Sequence, residues 1–323
     1  MSSLVSPSSP PAGLFAARRN FADRIGDPLL VGLAALAAFA GVGVLAWIAI
    51  TVFGKASPAI SKYGLRFLVT SSWDPVTSHF GAAAFIFGTL VSSAVALIIA
   101  GPTSIAIALY LTELASRRVR RPAAILVELL AAIPSVILGL WGILVLGPFL
   151  NDRLEPFLSR TLGWIPLFSG TPSPYGMLNA ALILTIMVVP IVSAITREVF
   201  EATPAELKEG AYALGATRWE MVRMVILPHG RPGVIAALIL GLGRALGEAI
   251  AVTQVIGNTP GIHVSLFQPA ASLAGQLASE YQGASTSLQI ASLVYLAAIL
   301  LVISVVVNVV SRLIVRRVTV TSS

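Results

Sequence analysis

An arginine and a glutamate lie four residues apart in a strongly apolar stretch, which reads GLGRALGEAIAVTQVIGN from Gly241. A charge at bilayer depth costs about 2.5–3.5 kcal/mol on insertion scales, so such residues usually face a bundle interior or a water-filled cavity. At this spacing Arg244 and Glu248 share one helix face and could form a pair. A guanidinium stays charged and donates two parallel hydrogen bonds to an oxyanion. We therefore predict that Arg244 attracts an anion in a pathway and that Glu248 holds Arg244 in place; a neutralised pair without further role is the alternative.

Few other residues suggest chemistry. The chain has no cysteine, so disulfides, thiolate metal sites and cysteine nucleophiles are excluded. His79, His229 and His263 lack metal-ligand spacing, and no G-x-x-x-x-G-K-[ST] loop for ATP occurs. The sequence thus predicts a chain that is not an enzyme and binds no cofactor or metal of its own. Gly243 and Gly247 form a G-x-x-x-G pattern, which favours close helix packing.

The elements that would position these residues are membrane helices. The composition is 56% hydrophobic and 11% charged, with a mean hydropathy of +0.90, which is too apolar for a soluble domain of this length. Six apolar stretches are each long enough to cross ~30 Å of hydrocarbon. We predict an all-α integral membrane protein whose transmembrane helices lie near residues 29–53, 81–111, 123–150, 177–196, 232–257 and 288–311.

Prolines should distort three of these helices. Gly101-Pro102 should kink or break the second, while Pro134 and Pro190 should bend the third and fourth. Residues 1–28 are predicted to be a disordered tail or a short interfacial segment. Glu128, near the cytoplasmic end of the third helix, is predicted to snorkel or to pair with Arg120 or Arg121 rather than to act in transport.

The distribution of basic residues predicts the orientation. Fifteen of the 21 Lys and Arg residues fall in the two termini and in loops 112–122 and 197–231, whereas five fall in loops 54–80, 151–176 and 258–287. Cytoplasmic loops carry the excess of positive charge. Both termini are therefore predicted to be cytoplasmic, and residues 54–80 to lie outside the cytoplasm.

A polar stretch, Thr203 to Pro228, separates the fourth and fifth apolar segments. Thr203 with Glu206, and Thr217 with Glu220, have the spacing of capping boxes, and Pro204 suits a first helical position. Gly215 is a good helix stop because it accepts positive φ. We predict two short amphipathic helices joined by a tight turn, the second ending at Pro228, with Trp219, Val222, Val225 and Ile226 on its apolar face.

This stretch resembles the EAA loop of ABC importer permeases, whose pattern is Glu-Ala-Ala, three residues, Gly, nine residues, Ile, one residue, Leu-Pro. Glu209, Gly210 and Ala211 stand at the triplet, Gly215 at the Gly, and Leu227-Pro228 at the end. The resemblance implies docking into a separate ATPase subunit, with coupling residues Glu206, Glu209, Gly210, Ala211, Leu214, Gly215, Leu227 and Pro228. A plain interhelical loop and a DNA-binding helix-turn-helix are the alternatives, but the mixed charges disfavour DNA.

Further strings resemble the phosphate-specific permeases among these importers. They are Phe80-Gly81, Phe87-Gly88-Thr89, Ser92-Ser93, Leu130 to Val136, Gly243 to Glu248, Ser265 to Pro269, and Asn308. The resemblance implies a type I importer fold with a transmembrane domain over residues 81–316, in a bacterial inner (plasma) membrane. It also implies a second, related permease subunit (the PstA type), an ATPase dimer that binds the ATP, and an extracytoplasmic phosphate-binding protein. A permease for another oxyanion such as sulfate or molybdate, and a stand-alone channel or ion-coupled carrier, remain alternatives.

Overall fold

A computed structural model describes the backbone of residues 21–320 and the side chains of residues 29–313 and Val315. Apart from one two-stranded hairpin, its regular structure is helical, which confirms the predicted all-α class. The α-helices are α1 Phe21–Tyr63, α2 Arg66–Val69, α3 Ala83–Leu109, α4 Arg117–Ala131, α5 Ser135–Trp141, α6 Gly147–Phe149, α7 Glu155–Leu162, α8 Met177–Glu201, α9 Ala205–Ala213, α10 Arg218–Met221, α11 Leu227–Gly247, α12 Ile250–Val255, α13 Leu273–Glu280 and α14 Ser287–Val320. The strands are β1 Trp73–Asp74 and β2 His79–Phe80.

Several helices join end to end through π-helical segments, which lengthen the membrane-crossing units. Within the described residues, six segments are long and apolar enough to cross a membrane: Leu29–Tyr63, Ala83–Leu114, Ser135–Leu162, Met177–Glu201, Arg218–Gly247 and Ser287–Leu313. The predicted number is therefore confirmed. α1 already begins at Phe21, inside the predicted tail of residues 1–28, and the rest of that prediction lies outside the described residues. α1 also continues through Tyr63, ten residues beyond its predicted end.

The third crossing segment differs from its prediction. It begins at Ser135 rather than near residue 123, and residues 117–131 form the separate helix α4. Pro134 occupies the N-cap of α5, where its fixed φ and missing N–H end one helix and start the next. α4 combines an arginine-rich first turn with Ile125, Leu126 and Leu129, which are exposed. The prediction from hydropathy therefore joined two elements that are separate: the amphipathic helix α4 and the crossing segment that follows it.

The prolines inside the other crossing helices do not break them. α3 runs unbroken through Gly101-Pro102 and α8 runs through Pro190, so a break at Pro102 is wrong, whereas a kink at Pro102 and a bend at Pro190 stay predictions. α8 is the most deeply buried of the six segments and packs against both α3 and α11. One apolar cluster, built around Leu184, Val188 and Val192, holds these helices together.

Contacts with Ala271 and Leu273 hold the N-terminal part of α3 in place. The Thr89 hydroxyl donates to the Phe85 carbonyl (2.8 Å) and accepts from the Leu273 N–H (2.9 Å). A Cβ at Gly88 would come 2.2 Å from the Ala271 carbonyl oxygen, so only glycine permits this approach. The phosphate-permease string Phe87-Gly88-Thr89 therefore has a packing role here.

A small polar turn and an aromatic group cover the same side. The Asp74 carboxylate accepts from the Thr77 hydroxyl (2.5 Å) and the Val76 N–H (2.9 Å), and these bonds hold the pKa of Asp74 below its usual value. The Trp73 ring packs edge-on against Phe80, with centroids 4.8 Å apart. The turn is thus anchored on the aromatic side chains beside it.

Candidate functional site

Arg244 lies in a cleft between three crossing helices. The cleft has a volume of about 640 Å³ and is bounded by α11, α14 and the middle of α8. Its lining residues are Ile191, Ile239, Leu240, Gly243, Arg244, Gly247, Glu248, Ser304 and Asn308. The guanidinium is exposed to this space rather than buried against the bundle. The structure therefore brings the two predicted pathway residues to one cleft, together with two polar side chains of α14.

The predicted pairing of Arg244 with Glu248 is wrong. α11 ends at Gly247, and Glu248 has ψ of 119°, so the two residues are not on one continuous helix. Within the described side chains, ion pairs form only at Arg197–Glu128 and Lys208–Glu113. Glu248 instead accepts a hydrogen bond from the Ala251 N–H (3.2 Å), which satisfies a donor in the first turn of α12. Among the side chains that the structure describes, no carboxylate forms an ion pair with Arg244.

Within the described residues, the G-x-x-x-G pattern does not pack against another helix. An added Cβ at Gly243 or at Gly247 would meet no atom within 4 Å, and both glycines line the cleft. The predicted close packing is therefore not formed within the described residues. Because these two glycines have no side chains, they leave space in the cleft beside the Arg244 guanidinium.

The polar stretch between α8 and α11 is a helical hairpin, with a turn that closes as predicted. Gly215 has φ of +83°, its N–H donates to the Tyr212 carbonyl, and the Ala216 N–H donates to the Ala211 carbonyl. These two bonds are those of a Schellman motif. Thr217 and Glu220 form the predicted second capping box.

The other predicted hairpin boundaries need correction. α9 starts at Ala205 with Pro204 at the N-cap, so the box between Thr203 and Glu206 is absent. The Thr203 hydroxyl is buried without a hydrogen-bond partner. Pro228 does not end the second helix either: it lies in the first turn of α11, directly after a π segment at Val222–Ile226. Because that π segment follows α10 without a gap, the second hairpin helix is the beginning of the fifth crossing segment.

The hairpin leaves the predicted coupling residues accessible. Glu206, Glu209, Gly210, Leu214, Gly215 and Pro228 are exposed, and Ala211 and Leu227 are half-buried. Leu214 is 91% exposed and Trp219 is 66% exposed. Trp219 thus leaves the apolar face that was predicted for it, because that face buries Val222 and Ile226 instead. Tryptophan is among the residue types most enriched at protein interfaces, so an exposed Trp219 favours a protein contact here.

Two ion pairs join helices around the hairpin. The Lys208 ammonium donates to Glu113 (2.7 Å), and the two side chains are only 21% and 13% exposed. This pair joins α9 to the end of the second crossing segment. Glu128 pairs with Arg197 on α8 (3.1 Å), not with Arg120 or Arg121 as predicted. The Arg120 guanidinium instead donates to the Thr112 carbonyl.

Comparison with known proteins identifies the family. The family model described as "Binding-protein-dependent transport system inner membrane component" matches residues 102–320. The chain belongs to this family. It is a multi-pass inner-membrane permease, and the prediction of an ABC importer permease is confirmed.

Named relatives and a solved structure extend this result. The permease is 44% identical over 279 residues, 85% of each chain, to "Phosphate transport system permease protein PstC" of Mesorhizobium japonicum. It is 44% identical over 278 residues to the Haemophilus influenzae protein of the same name, covering 85% of this chain and 88% of that one. A chain of a bacterial alginate ABC transporter, solved with its alginate pentasaccharide-bound periplasmic protein, has a TM-score of 0.56 and 22% identity, covering 92% of this chain and 98% of that one. That likeness supports the type I importer fold.

Sequence reasoning on the permease missed most of the wall opposite Arg244. Ser304 and Asn308 were not predicted as lining residues, although Asn308 belonged to the phosphate-permease resemblance. The available signal was their spacing of four, which places two polar residues on one face of an apolar helix. No group of three or more His, Asp or Glu side chains that could hold a metal occurs in the part of the permease that the structure describes.

Proposed function

We propose that this permease carries inorganic phosphate into the cell, driven by ATP that a partner subunit binds. The observation that carries the proposal is the Arg244 guanidinium, which has no ion-pair partner among the described side chains. It lies in a cleft of an apolar bundle, with an amide and a hydroxyl on the opposite wall. Such donors match the tetrahedral oxygens of phosphate, and Arg suits bidentate binding. The names of the two PstC relatives support phosphate over other oxyanions.

The cleft needs partners to become a pathway. It is bounded by α8, α11 and α14, and we propose that a second, related permease subunit of the PstA type closes it. A phosphate-binding protein would deliver the cargo from outside, and both termini would be cytoplasmic, in line with the basic loops. The permease itself would hold no cofactor, bind no ATP and make no covalent change to phosphate.

The hairpin is the proposed contact with the ATPase dimer. Leu214 and Trp219 would enter a groove on the ATPase, with Glu206 and Glu209 at the rim. The Schellman turn and the second capping box hold the hairpin in one shape, so movement of the ATPase reaches the crossing helices. The Lys208–Glu113 pair would carry the same movement to the second crossing segment.

The test is ATP-driven uptake of labelled phosphate into liposomes that contain the assembled importer and its binding protein. Arg244→Gln removes the charge but keeps hydrogen-bonding capacity, and we expect uptake to fall at least roughly tenfold, the loss of one charge-assisted bond. Arg244→Lys keeps the charge but not the bidentate geometry and should retain an intermediate rate. Arg231→Gln, an exposed arginine on the same helix outside the cleft, is the matched control.

Three results would contradict the proposal. Uptake by Arg244→Gln with unchanged rate and affinity would remove the role of the guanidinium. Competition by sulfate or molybdate equal to that by unlabelled phosphate would indicate a permease for another oxyanion. Uptake that proceeds without ATP would indicate a channel or an ion-coupled carrier.

A further inference from the structure

The cleft at Arg244 continues along α14 toward a second arginine. A neighbouring cleft of about 540 Å³ shares Ile239, Leu240 and Asn308 with the first. Beyond these shared residues it is lined by Ile195, Ala236, Ser311, Arg312 and Val315. The two spaces therefore form one groove, with Arg244 toward one end and Arg312 toward the other.

Polar residues mark the α14 wall of this groove. Ser304, Asn308 and Ser311 follow at spacings of four and three, so they share one face of an otherwise apolar helix. The Asn308 amide donates one N–H to the Ser304 carbonyl (2.8 Å). An amide nitrogen carries two hydrogens, so one donor remains for a ligand between the two arginines.

Arg312 also lacks an acidic partner among the side chains that the structure describes. Two other arginines do have partners: Arg197 forms an ion pair with Glu128, and Arg120 donates to the Thr112 carbonyl. Arg312 is the last residue but one of the crossing segment Ser287–Leu313, and it also lines the groove that contains Arg244.

We propose that Arg312 is a second anion-binding station, at the end of the groove from which phosphate leaves for the cytoplasm. Eight residues separate Ser304, beside Arg244, from Arg312, which corresponds to roughly 12 Å along α14. Transport requires binding that is favourable enough to admit an ion and weak enough to release it, and several sites in series provide this. Arg312 offers the anion a second partner as it leaves Arg244. This inference rests on the proposed function.

The absence of native cysteine allows a direct test through the charge at this position. In Arg312→Cys, uptake should fall roughly tenfold, because one charge-assisted hydrogen bond is lost. A trimethylammonium-ethyl methanethiosulfonate adds a positive charge to this cysteine. The cysteine thiolate attacks the reagent's divalent sulfur, a mixed disulfide forms, and methanesulfinate leaves. This reagent should restore uptake, and the anionic sulfonato-ethyl reagent should lower it further. Phosphate should slow labelling by the anionic reagent. The wild-type complex and Arg231→Cys, each treated with the same reagents, are the controls.

The outcomes separate this inference from the proposed function. Rates are normalised to the amount of co-purified ATPase subunit, so poor assembly is not read as slow transport. Equal effects of the two reagents, or normal uptake by Arg312→Cys, would overturn the second station. If Arg244→Gln still blocks uptake in the same liposomes, the proposed function stands without it. If neither arginine affects uptake, both ideas are wrong.

Discussion

Two glycines of the hairpin should respond to alanine in opposite directions. Gly215 has φ of +83°, while Gly210 lies inside α9, and an added Cβ at either position would meet no atom within 4 Å. Steric clashes with neighbours are therefore absent, and the backbone alone decides the result. An L-residue in the left-handed region costs roughly 1–2 kcal/mol. In a helix interior, replacing Gly by Ala gains up to about 1 kcal/mol.

These values give the size of the expected effect. Gly215→Ala should weaken the closed turn by a factor of roughly 5–30, because 1–2 kcal/mol corresponds to that range. A nine-residue helix is marginal by itself, so α9 depends on this closure. Gly210→Ala should strengthen α9. If a rigid hairpin carries the motion of the ATPase, Gly215→Ala should lower ATP-driven uptake several-fold and Gly210→Ala should preserve or raise it.

Hydrogen exchange and uptake measured on the same samples test this reasoning. The amides of Gly215 and Ala216, which donate the two closing bonds, should exchange faster in Gly215→Ala and not in Gly210→Ala. Gly215→Asn is the matched variant, because Asn tolerates positive φ and should behave closer to the wild type. Faster exchange without loss of uptake would refute the link between turn rigidity and coupling. Unchanged exchange would refute the energetic argument itself.

Two further predictions concern contacts that hold the permease together. Lys208→Met should leave the Glu113 carboxylate, which is 13% exposed, without its cation. We therefore expect lower thermal stability and slower ATP-driven uptake, whereas Lys208→Arg should retain both. An unchanged melting temperature for Lys208→Met would contradict this prediction. Thr89→Val should remove the acceptor for the buried Leu273 N–H. The free energy of unfolding of the purified permease should then fall by about 1–3 kcal/mol in thermal unfolding, and by much less in Thr89→Ser. Equal losses in the two variants would assign the cost to side-chain shape.

The number of crossing segments could be predicted because hydropathy reports burial in lipid directly. Their ends could not. The third began in the wrong place because residues 123–131 are as apolar as a crossing segment, and the break at Pro134 depends on how α4 packs. The sequence predicted that the second hairpin helix ends at Pro228, because a proline inside a helix is unfavourable. In the structure a π segment precedes α11, so Pro228 falls in the first turn of α11, where proline is tolerated.

Sequence analysis named Arg244 and Glu248 of the candidate site, but neither its α14 wall nor its geometry. Arg244 and Glu248 were found because charges are rare in apolar helices. Their pairing assumed that a helix continues through Gly247, and spacing alone cannot reveal that the backbone turns extended at Glu248. Asn308 lies in a different helix, so its approach to Arg244 is a tertiary property. Gly215, by contrast, acts through its own backbone conformation and was predicted correctly.

The continuous helix from Arg218 to Gly247 has a thermodynamic consequence. Its 30 residues span about 45 Å, and they carry both Trp219 at the hairpin and Arg244 in the cleft. If the proposed contacts are correct, nucleotide and cargo act on one common piece of backbone from opposite ends. Linkage then requires reciprocity: the factor by which ATP changes the affinity for phosphate equals the factor by which phosphate changes the affinity for ATP. The affinity of the assembled complex for ATP, measured by titration with and without phosphate, should therefore change when phosphate occupies the cleft.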